Sequence, residues 1–499
     1  MYIYSMNEKK YIENLFLKYD KNIKLDEEQI KVIMDDSDSL MVIAGAGSGK
    51  TTTIAAKVKF LVDIKKINPK EILIISLTNK AVEELQFTIN QKFLIDAPIC
   101  TFHKLAFDLI KEENRNFKIL SDPSKIINNL IRENNKTNEI IKLIMKDYRI
   151  KKISKSKINL NKLLSELLSN NIKLIKTLNC GISLDDRNDK KTRKYFEYLN
   201  EIYFNYKKCL AENNLLDFED IILLASKLKI NRNYRYVIVD EYQDISENRY
   251  RFLKKILDDT KSKVIVVGDD FQTIFSFAGS NLNQFINFSK NSSNKIIKIN
   301  KTYRNSQELV DIAGQFVMQD KNLIRKNMLS NKRIDEPIKI YGTTKNSFSE
   351  VFTKVINEIL ENYGNEKTIL VLGRYKNDIL KLNSKNFIIK GMKITYIKYP
   401  NLKIDYLTIH SSKGLGYDNV ILININNEEN GFPSKIRNDI FTKKILGYDL
   451  NYEEERRLMY VAMTRTKNRF YIISEKKNES EFLKEIIKNN NVYIDYKIK

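Results

Sequence analysis

Short runs of apolar residues alternate along the chain with longer amphipathic stretches. The first part of the chain holds four such runs, at Ser39–Gly45, Ile72–Thr78, Tyr236–Glu241 and Val264–Asp269. A second set lies at Thr368–Arg374, Tyr406–His410, Asn419–Ile425 and Phe470–Ser474. Apolar runs of this length between helical patterns are typical of buried parallel strands joined by crossover helices. The pattern predicts an α/β fold with two parallel-sheet lobes.

The middle of the first half follows a different pattern. From about Asp108 to Asn214 the chain is Lys-rich with helical periodicity, as in Lys162–Lys176, and carries no buried-strand signature. We therefore expect a helical insertion in the first lobe and little or no insertion in the second. The predicted divisions are residues 1–107 (lobe 1, first part), 108–213 (helical insertion), 214–290 (lobe 1, second part) and 291–499 (lobe 2).

Charge and composition narrow the class of protein. The 499 residues include 86 Lys and Arg against 63 Asp and Glu, a formal charge of +23, which favours a polyanionic partner. The same excess would arise if a low-GC genome enriched Lys, Asn and Ile throughout. No apolar run reaches the roughly 18 residues of a membrane span, and the three cysteines have no metal or disulfide spacing. A cytoplasmic protein without a membrane partner is expected.

A glycine-rich segment follows the first apolar run. Residues 44–51 read AGAGSGKT, a phosphate-loop pattern in which Ala44 replaces the usual Gly. Backbone N–H groups from Gly45 to Gly49, including Ala46, Gly47 and Ser48, are expected to surround the phosphates of ATP. Lys50 is expected to reach the β- and γ-phosphates, and the Thr51 hydroxyl to bind Mg²⁺.

Two adjacent carboxylates end the third apolar run. Within Val237–Asp244 (VIVDEYQD), Asp240 and Glu241 stand where the apolar strand ends, and carboxyl ends of parallel strands converge on ligands in α/β sheets. Asp240 suits the Mg²⁺ shell, whereas Glu241 suits a base or a water-orienting group for attack on the γ-phosphate. Acidic pairs at strand ends often only cap them, but the phosphate loop upstream favours catalysis.

Ten motifs, in order, make the chain resemble superfamily 1 helicases of the UvrD/Rep/PcrA group. They span nearly its whole length: Leu25–Gln29, Ala44–Thr53, Leu77–Leu85, Thr101–Ala106, Leu215–Ile221, Val239–Asp244, Gly268–Ser280, Asn300–Glu308, Thr408–Val420 and Glu453–Lys467. The resemblance implies two RecA-like lobes and an ATP-driven motor on DNA, moving 3′→5′.

The resemblance also implies roles at the nucleotide. Gln29 would read the adenine edge and Tyr303 would stack on the base. Gln272 would link the γ-phosphate to the DNA-contacting segment after it. Arg304 and Arg465 would be arginine fingers from the second lobe, so that catalysis requires the two lobes to close.

For single-stranded or tailed DNA the resemblance implies a track across both lobes. Phe275 and Phe277 would stack on bases, because a translocating motor needs contacts that tolerate any sequence. The further candidates are Thr78, Asn79, Thr101, Phe102, His103, Thr408 and His410. His103 and His410 are the only histidines, and a structural role is the alternative for each.

Several positions depart from the family pattern. Thr52 replaces an Arg that packs on the base, and Gly416 replaces a Glu near the ribose. Weak sugar discrimination is expected, so that other NTPs or dNTPs also serve. The helical subdomain that interrupts the second lobe of the family has no room between Leu372–Arg374 and Ile404–His410.

Two interpretations therefore stand. The chain is a DNA-stimulated ATPase and translocase, or it is a nucleotide- and DNA-end sensor that switches a partner nuclease without processive unwinding. Its length, compact second lobe and altered fifth motif are similar to the helicase-like subunit of the Gabija anti-phage systems, which implies a nuclease partner. An RNA helicase is disfavoured by the DNA-type motifs at 215–221 and 408–414.

Overall fold

A computed structural model describes residues 6–113, 117–146, 159–181, 189–344, 346–436, 438–447, 452–488 and 492–496. Two separate sheets dominate it, one parallel and one mostly parallel, each covered by helices on both faces. The predicted α/β fold with two lobes is confirmed. No helix among these described ranges has the length and apolar character needed to cross a membrane.

The first sheet has six parallel strands in the order β3-β2-β6-β7-β1-β8. Val and Ile fill the central strands, which are buried on both faces, as is typical of parallel sheets. A short pair, β4 with β5, lies apart from it. The strands are β1 Ser39–Ala44, β2 Ile72–Ser76, β3 Ile99–Thr101, β4 Lys118–Ile119, β5 Leu215–Leu216, β6 Tyr236–Val239, β7 Lys263–Gly268 and β8 Lys295–Ile299.

The second sheet has eight strands in the order β11-β12-β13-β10-β14-β15-β9-β16. Only β12 pairs antiparallel with its neighbours; the others are parallel. The strands are β9 Ile338–Thr343, β10 Ile369–Gly373, β11 Phe387–Lys390, β12 Lys393–Tyr396, β13 Tyr399–Thr408, β14 Asn419–Ile423, β15 Phe470–Glu475 and β16 Val492–Asp495.

Helices cover both sheets and form the insertion. Those of the first half are Met6–Asn14, Glu27–Met34, Lys50–Asp63, Asn79–Gln86, Phe102–Glu112, Ser124–Glu133, Thr137–Ile144, Leu160–Leu178, Lys190–Glu212 and Phe218–Ala225. Those of the second half are Glu247–Thr260, Leu282–Lys290, Gln307–Val317, Phe348–Tyr363, Ile440–Leu446, Tyr452–Met463 and Glu481–Ile487.

The helical insertion has its own apolar core, which one segment of lobe 2 completes. Helices Leu160–Leu178 and Lys190–Glu212 contribute most of this core. Phe441, from the short helix Ile440–Leu446 of lobe 2, is fully buried in it and stacks on Tyr195 with ring centroids 3.8 Å apart. Thr442 donates to the Asn171 side chain at 3.0 Å. We call residues 438–447 the clasp, because they join lobe 2 to the insertion.

Two predicted divisions differ from the structure. Residue 291 is too early for the start of lobe 2, because β8 pairs in register with β1 in the first sheet. The division at 107/108 falls inside helix Phe102–Glu112, whose apolar face packs in the core of the first sheet. Between β10 and β13 the chain forms only a 3₁₀ turn at Lys376–Leu382 and the strands β11 and β12. The second lobe thus lacks a helical subdomain there.

Candidate nucleotide and DNA site

The phosphate loop connects β1 to helix Lys50–Asp63. Gly47 and Gly49 have φ angles of 73° and 78°, which glycine adopts without strain. A Cβ at Gly47 would also lie 2.6 Å from the Cβ of Arg304 and 2.8 Å from the Thr302 hydroxyl. The Ser48 hydroxyl is buried and, in the described part of the chain, has no hydrogen-bond partner. Backbone curvature and helix N-terminus together form an anion-binding cradle that fits nucleotide phosphates.

The predicted carboxylates follow β6, beside this loop. Glu241 adopts a left-handed conformation, φ 54°, and its Oε1 lies 3.4 Å from the Lys50 Nζ. Burial disfavours the charged form of Glu241, but the cations Lys50 and Lys413 outweigh burial and hold its pKa below the usual range. Burial and the neighbouring Glu241 charge raise the pKa of Asp240. Glu241 is therefore an ionised hydrogen-bond acceptor at the loop.

A hydrogen-bond relay connects this site to lobe 2. The Gln243 side chain donates to Glu241 and accepts from the backbone N–H of Asp269 at 2.9 Å. The Asp269 carboxylate accepts from Gln272 Nε2 at 2.6 Å. The Gln272 Oε1 then accepts from Arg465 Nη2 at 3.0 Å. Glu241, Gln272 and Arg465 are thus joined by hydrogen bonds that pass through Gln243 and through the backbone N–H and carboxylate of Asp269.

Two arginines from lobe 2 contact lobe 1 at the site. Arg465 follows helix Tyr452–Met463 and is 1 % exposed; burial and the nearby Arg304 lower its pKa to about 9. It is still charged at neutral pH. Arg304 lies against Gly47 and donates to the backbone carbonyl of Thr464 at 3.2 Å. The structure therefore places Arg304 at the predicted loop and Arg465 at Gln272, which belongs to the same lobe as the loop.

The residues predicted at the adenine occupy one end of the loop. Gln29 is buried: its Nε2 donates to the Ser48 carbonyl at 3.1 Å and its Oε1 accepts from the N–H of Asp26. Tyr303 is half exposed and donates from its hydroxyl to Asp26 at 2.9 Å. Thr52, in the helix after the loop, is partly exposed. Tyr303 presents an accessible ring, whereas the Gln29 amide is engaged by the protein.

The predicted DNA residues divide into exposed and buried groups. Phe277 is 60 % exposed and lies within 6.1 Å of Phe275 and 5.5 Å of His410, centroid to centroid. Thr78, Asn79 and His103 lie beyond the ends of β2 and β3, and Thr101 is the last residue of β3. The Thr78 and Thr101 hydroxyls cap the helices that follow. Thr408 is largely buried and its hydroxyl pairs with Ser411.

Phe102 is a correction. The predicted DNA contact at this residue is wrong, because its ring is 1 % exposed and packs against Phe252 in the core of lobe 1. Helix geometry places Phe102 and His103 on different faces. His103 instead lies edge-on to Phe218, and its Nε2 is buried with no partner among the described residues.

Lys413 is a site residue that sequence reasoning missed. It bonds to the Asp244 carboxylate, donates to the Gln272 carbonyl at 2.6 Å and lies 3.8 Å from Glu241. It stands in the motif Thr408–Val420, so its position in that motif was a usable signal. Gln243, within the motif of the carboxylates, was missed in the same way.

The phosphate loop, the adjacent carboxylates and the arginines of the second lobe meet at one cleft. This arrangement defines a two-lobed nucleotide hydrolase. Family models agree: "UvrD/REP helicase N-terminal domain" matches residues 25–293 and "UvrD-like helicase C-terminal domain" matches residues 389–477. The chain belongs to the UvrD/REP helicase family, a class of ATP-dependent, DNA-binding enzymes.

Curated relatives are similar along most of the chain. DNA helicase IV of Escherichia coli K12 is 26% identical over 96% of this chain and 72% of its own length. ATP-dependent DNA helicase Rep of Buchnera aphidicola (strain APS) is 29% identical over 68% of this chain and 53% of its own. ATP-dependent DNA helicase PcrA of Bacillus subtilis is 26% identical over 65% and 43%. The matched part of this chain thus corresponds to between under half and nearly three quarters of the length of these relatives.

Proposed function

We propose that this protein is a DNA-dependent ATPase that translocates 3′→5′ on single-stranded DNA. The observation that carries the proposal is that two arginines of lobe 2 contact lobe 1: Arg304 lies against Gly47 of the phosphate loop, and Arg465 donates to Gln272. Because residues of both lobes line one cleft, nucleotide hydrolysis and relative movement of the lobes are coupled.

Each residue of the cleft has a proposed role. Lys50 and the loop N–H groups hold the phosphates, and Glu241 orients the attacking water. Thr51 and Asp240 would hold Mg²⁺, which when bound neutralises phosphate oxygens. Gln272 senses the γ-phosphate, and Arg304 with Arg465 stabilises the charge of the transition state. Gln29, Tyr303, Thr52 and Gly416 surround base and sugar.

We propose that the DNA track crosses the cleft on the side of Phe277. Phe275, Phe277 and His410 form one aromatic cluster from both lobes, and stacking on such faces holds any base. Thr78, Asn79, Thr101 and His103 would contact the strand on lobe 1. In this proposal lobe 2 begins after β8, because β8 belongs to the first sheet.

Hydrolysis by the purified chain tests the proposal. ATP turnover is measured with and without single-stranded DNA for the wild type, Glu241→Gln and Lys50→Ala. Glu241→Gln should lose turnover by roughly 100-fold or more while retaining nucleotide binding, since it only loses the water-orienting charge. Lys50→Ala should lose both. Lys70→Ala and Glu83→Gln, at exposed positions, are the matched controls. Parental turnover by Glu241→Gln would contradict the assignment.

A second candidate function is a sensor that switches a partner nuclease, as in anti-phage defence. The observation in its favour is the second lobe, in which a short hairpin stands between β10 and β13. Strand displacement on a 3′-tailed duplex separates the two functions: hydrolysis with no displacement favours the sensor. Co-purification of a nuclease with the tagged chain from native extract would identify the partner.

A further inference from the structure

A lysine outside the ten motifs is completely buried beside the cleft. Lys326 belongs to the irregular segment between helix Gln307–Val317 and β9. Its Nζ bonds to the carboxylates of Asp269 and of Asp270, the latter at 2.5 Å, and lies 3.8 Å above the centroid of the Phe271 ring. The three charged side chains are each at most 1 % exposed. One buried cation therefore bonds to two adjacent buried acids.

Without this cation the two carboxylates would be unstable as anions. Burial opposes ionisation of Asp269, but Lys326 and Lys50 hold its pKa below the usual value. Burial and the Asp269 charge raise the pKa of Asp270, against the effect of Lys326. Removing one partner of a buried ion pair leaves an uncompensated charge, which is relieved by protonation or by rearrangement. Lys326 thus makes the largest contribution to stabilising the Asp269 anion, ahead of Lys50.

The ionised Asp269 fixes the orientation of Gln272. Its Oδ2 accepts from Gln272 Nε2 at 2.6 Å, and this leaves the Gln272 Oε1 to accept from Arg465 at 3.0 Å. A protonated Asp269 would lose this charge-assisted bond, and the amide could then turn over. The path of hydrogen bonds from Lys326 to Arg465 therefore passes through two side chains, Asp269 and Gln272.

We propose that Lys326 is a positioning residue for ATP hydrolysis: it holds Asp269 so that Gln272 and Arg465 keep their alignment at the γ-phosphate. The inference rests on the proposed ATPase function. Lys326 reaches across from the lobe 2 side to Asp269 at the end of β7 in lobe 1, so the alignment also depends on the lobes being together.

A double-mutant cycle on the full chain tests the proposal. The turnover number kcat and KM for ATP are measured at saturating single-stranded DNA for the wild type, Lys326→Met, Gln272→Ala and the double variant. Lys326→Met should lower kcat by roughly 10–100-fold, as when a residue that orients a functional side chain is lost, with little change in KM. In the Gln272→Ala background the same substitution should cost no more than about twofold, because the shared path is already broken.

Two further variants keep the test decisive. Lys321→Met, exposed on the same segment, is the matched control and should keep the parental kcat. Lys326→Arg retains the positive charge. Its melting temperature should lie nearer to the parental value than that of Lys326→Met, and part of kcat should be restored. The inference can therefore be tested even if Lys326→Met folds poorly. Equal losses from Lys326→Met in both backgrounds, or an unchanged kcat, would overturn the inference. No hydrolysis by the wild type would instead overturn the proposed function.

Discussion

Gly416 has no side chain, and the Arg304 side chain occupies the space beside it. A Cβ at this position would lie 3.0 Å from Nε and 3.3 Å from Cζ of Arg304. A carboxylate introduced here would therefore lie next to the guanidinium group. At the residue scale, this single glycine bears both on sugar selectivity and on the freedom of Arg304.

We predict that ATP and dATP are hydrolysed at comparable rates, because Gly416 offers no group to the ribose hydroxyls. Gly416→Glu should lower kcat by about tenfold, since an ion pair with Arg304 competes with the transition state for its charge. Steady-state kinetics with both nucleotides provide the measurement. A strong preference of the wild type for ATP would show that another residue reads the sugar.

The two histidines have pKa values that keep them neutral. Burial, with Arg374 and Lys413 nearby, lowers the pKa of His410 to about 3; burial, with Arg249 and Lys173, lowers that of His103 to about 4. In the unfolded chain both titrate near 6.5. The unfolded state therefore binds more protons between these values, and protonation favours unfolding there.

We predict that the free energy of unfolding decreases as pH falls from about 6.5 towards 4. DNA affinity should show no change from histidine protonation between pH 6 and 8. Urea unfolding from pH 4 to 8 measures the first and fluorescence anisotropy the second. His103→Gln with His410→Gln should flatten the stability profile in the acidic range. A DNA-affinity step near pH 6.5 that disappears in this variant would contradict the prediction.

At the element scale, helix Tyr452–Met463 fastens lobe 2 together through consecutive charged residues. Glu455 accepts from Arg374 Nη2 at 2.6 Å and from the N–H of Ser434 at 2.9 Å. Arg456 pairs with Glu485 at 2.8 Å, and Arg457 with Asp320 at 2.6 Å. The run that looks like a solvated charged face is thus largely buried. It sets the position from which Arg465 extends.

Glu455→Ala should destabilise the protein by about 3–5 kcal/mol, because it leaves the Arg374 cation without its partner in a protected site. The urea midpoint of the second-lobe transition is the measurement. Glu453→Ala, in the same first turn but exposed, is the control and should change the midpoint little. Equal midpoints for the two variants would show that Glu455 contributes no more than an exposed glutamate.

At the scale of the whole molecule, the clasp gives the two lobes a second connection besides the cleft. Phe441 completes the core of the helical insertion, while the insertion itself is anchored on lobe 1 by bonds from Lys176 to Asp217 and Asp220, at 2.6 Å and 2.7 Å. Movement of lobe 2 must therefore carry the insertion with it or release the clasp.

Phe441→Ala should release the clasp, because loss of a buried aromatic ring costs about 3–5 kcal/mol. A protease should then cleave within residues 438–447 faster than in the wild type. Mass spectrometry of the fragments locates the cleavage sites. Phe204→Ala, at an exposed ring on the insertion, is the matched control. Unchanged cleavage would mean that other contacts hold the segment.

Local sequence determined the chemistry of this protein and eight of the sixteen strands that the structure describes. The loop at 44–51 and the carboxylates at 240–241 are contiguous, so their chemistry is readable without the fold. The apolar runs predicted eight strands correctly, because buried parallel strands are apolar on both faces. Among the strands that were missed, the short edge strand β3 and the hairpin β11–β12 come from runs that are short or half exposed.

Only the tertiary structure decided which side chains face the cleft and which elements belong together. The side chain of Phe102 turns into the core while its neighbour His103 does not, β8 joins the first sheet, and Phe441 enters the core of a distant insertion. Lys326 meets Asp269 from 57 residues away. Such pairings depend on burial and contact between segments far apart in the chain, and neither periodicity nor motif spacing encodes them.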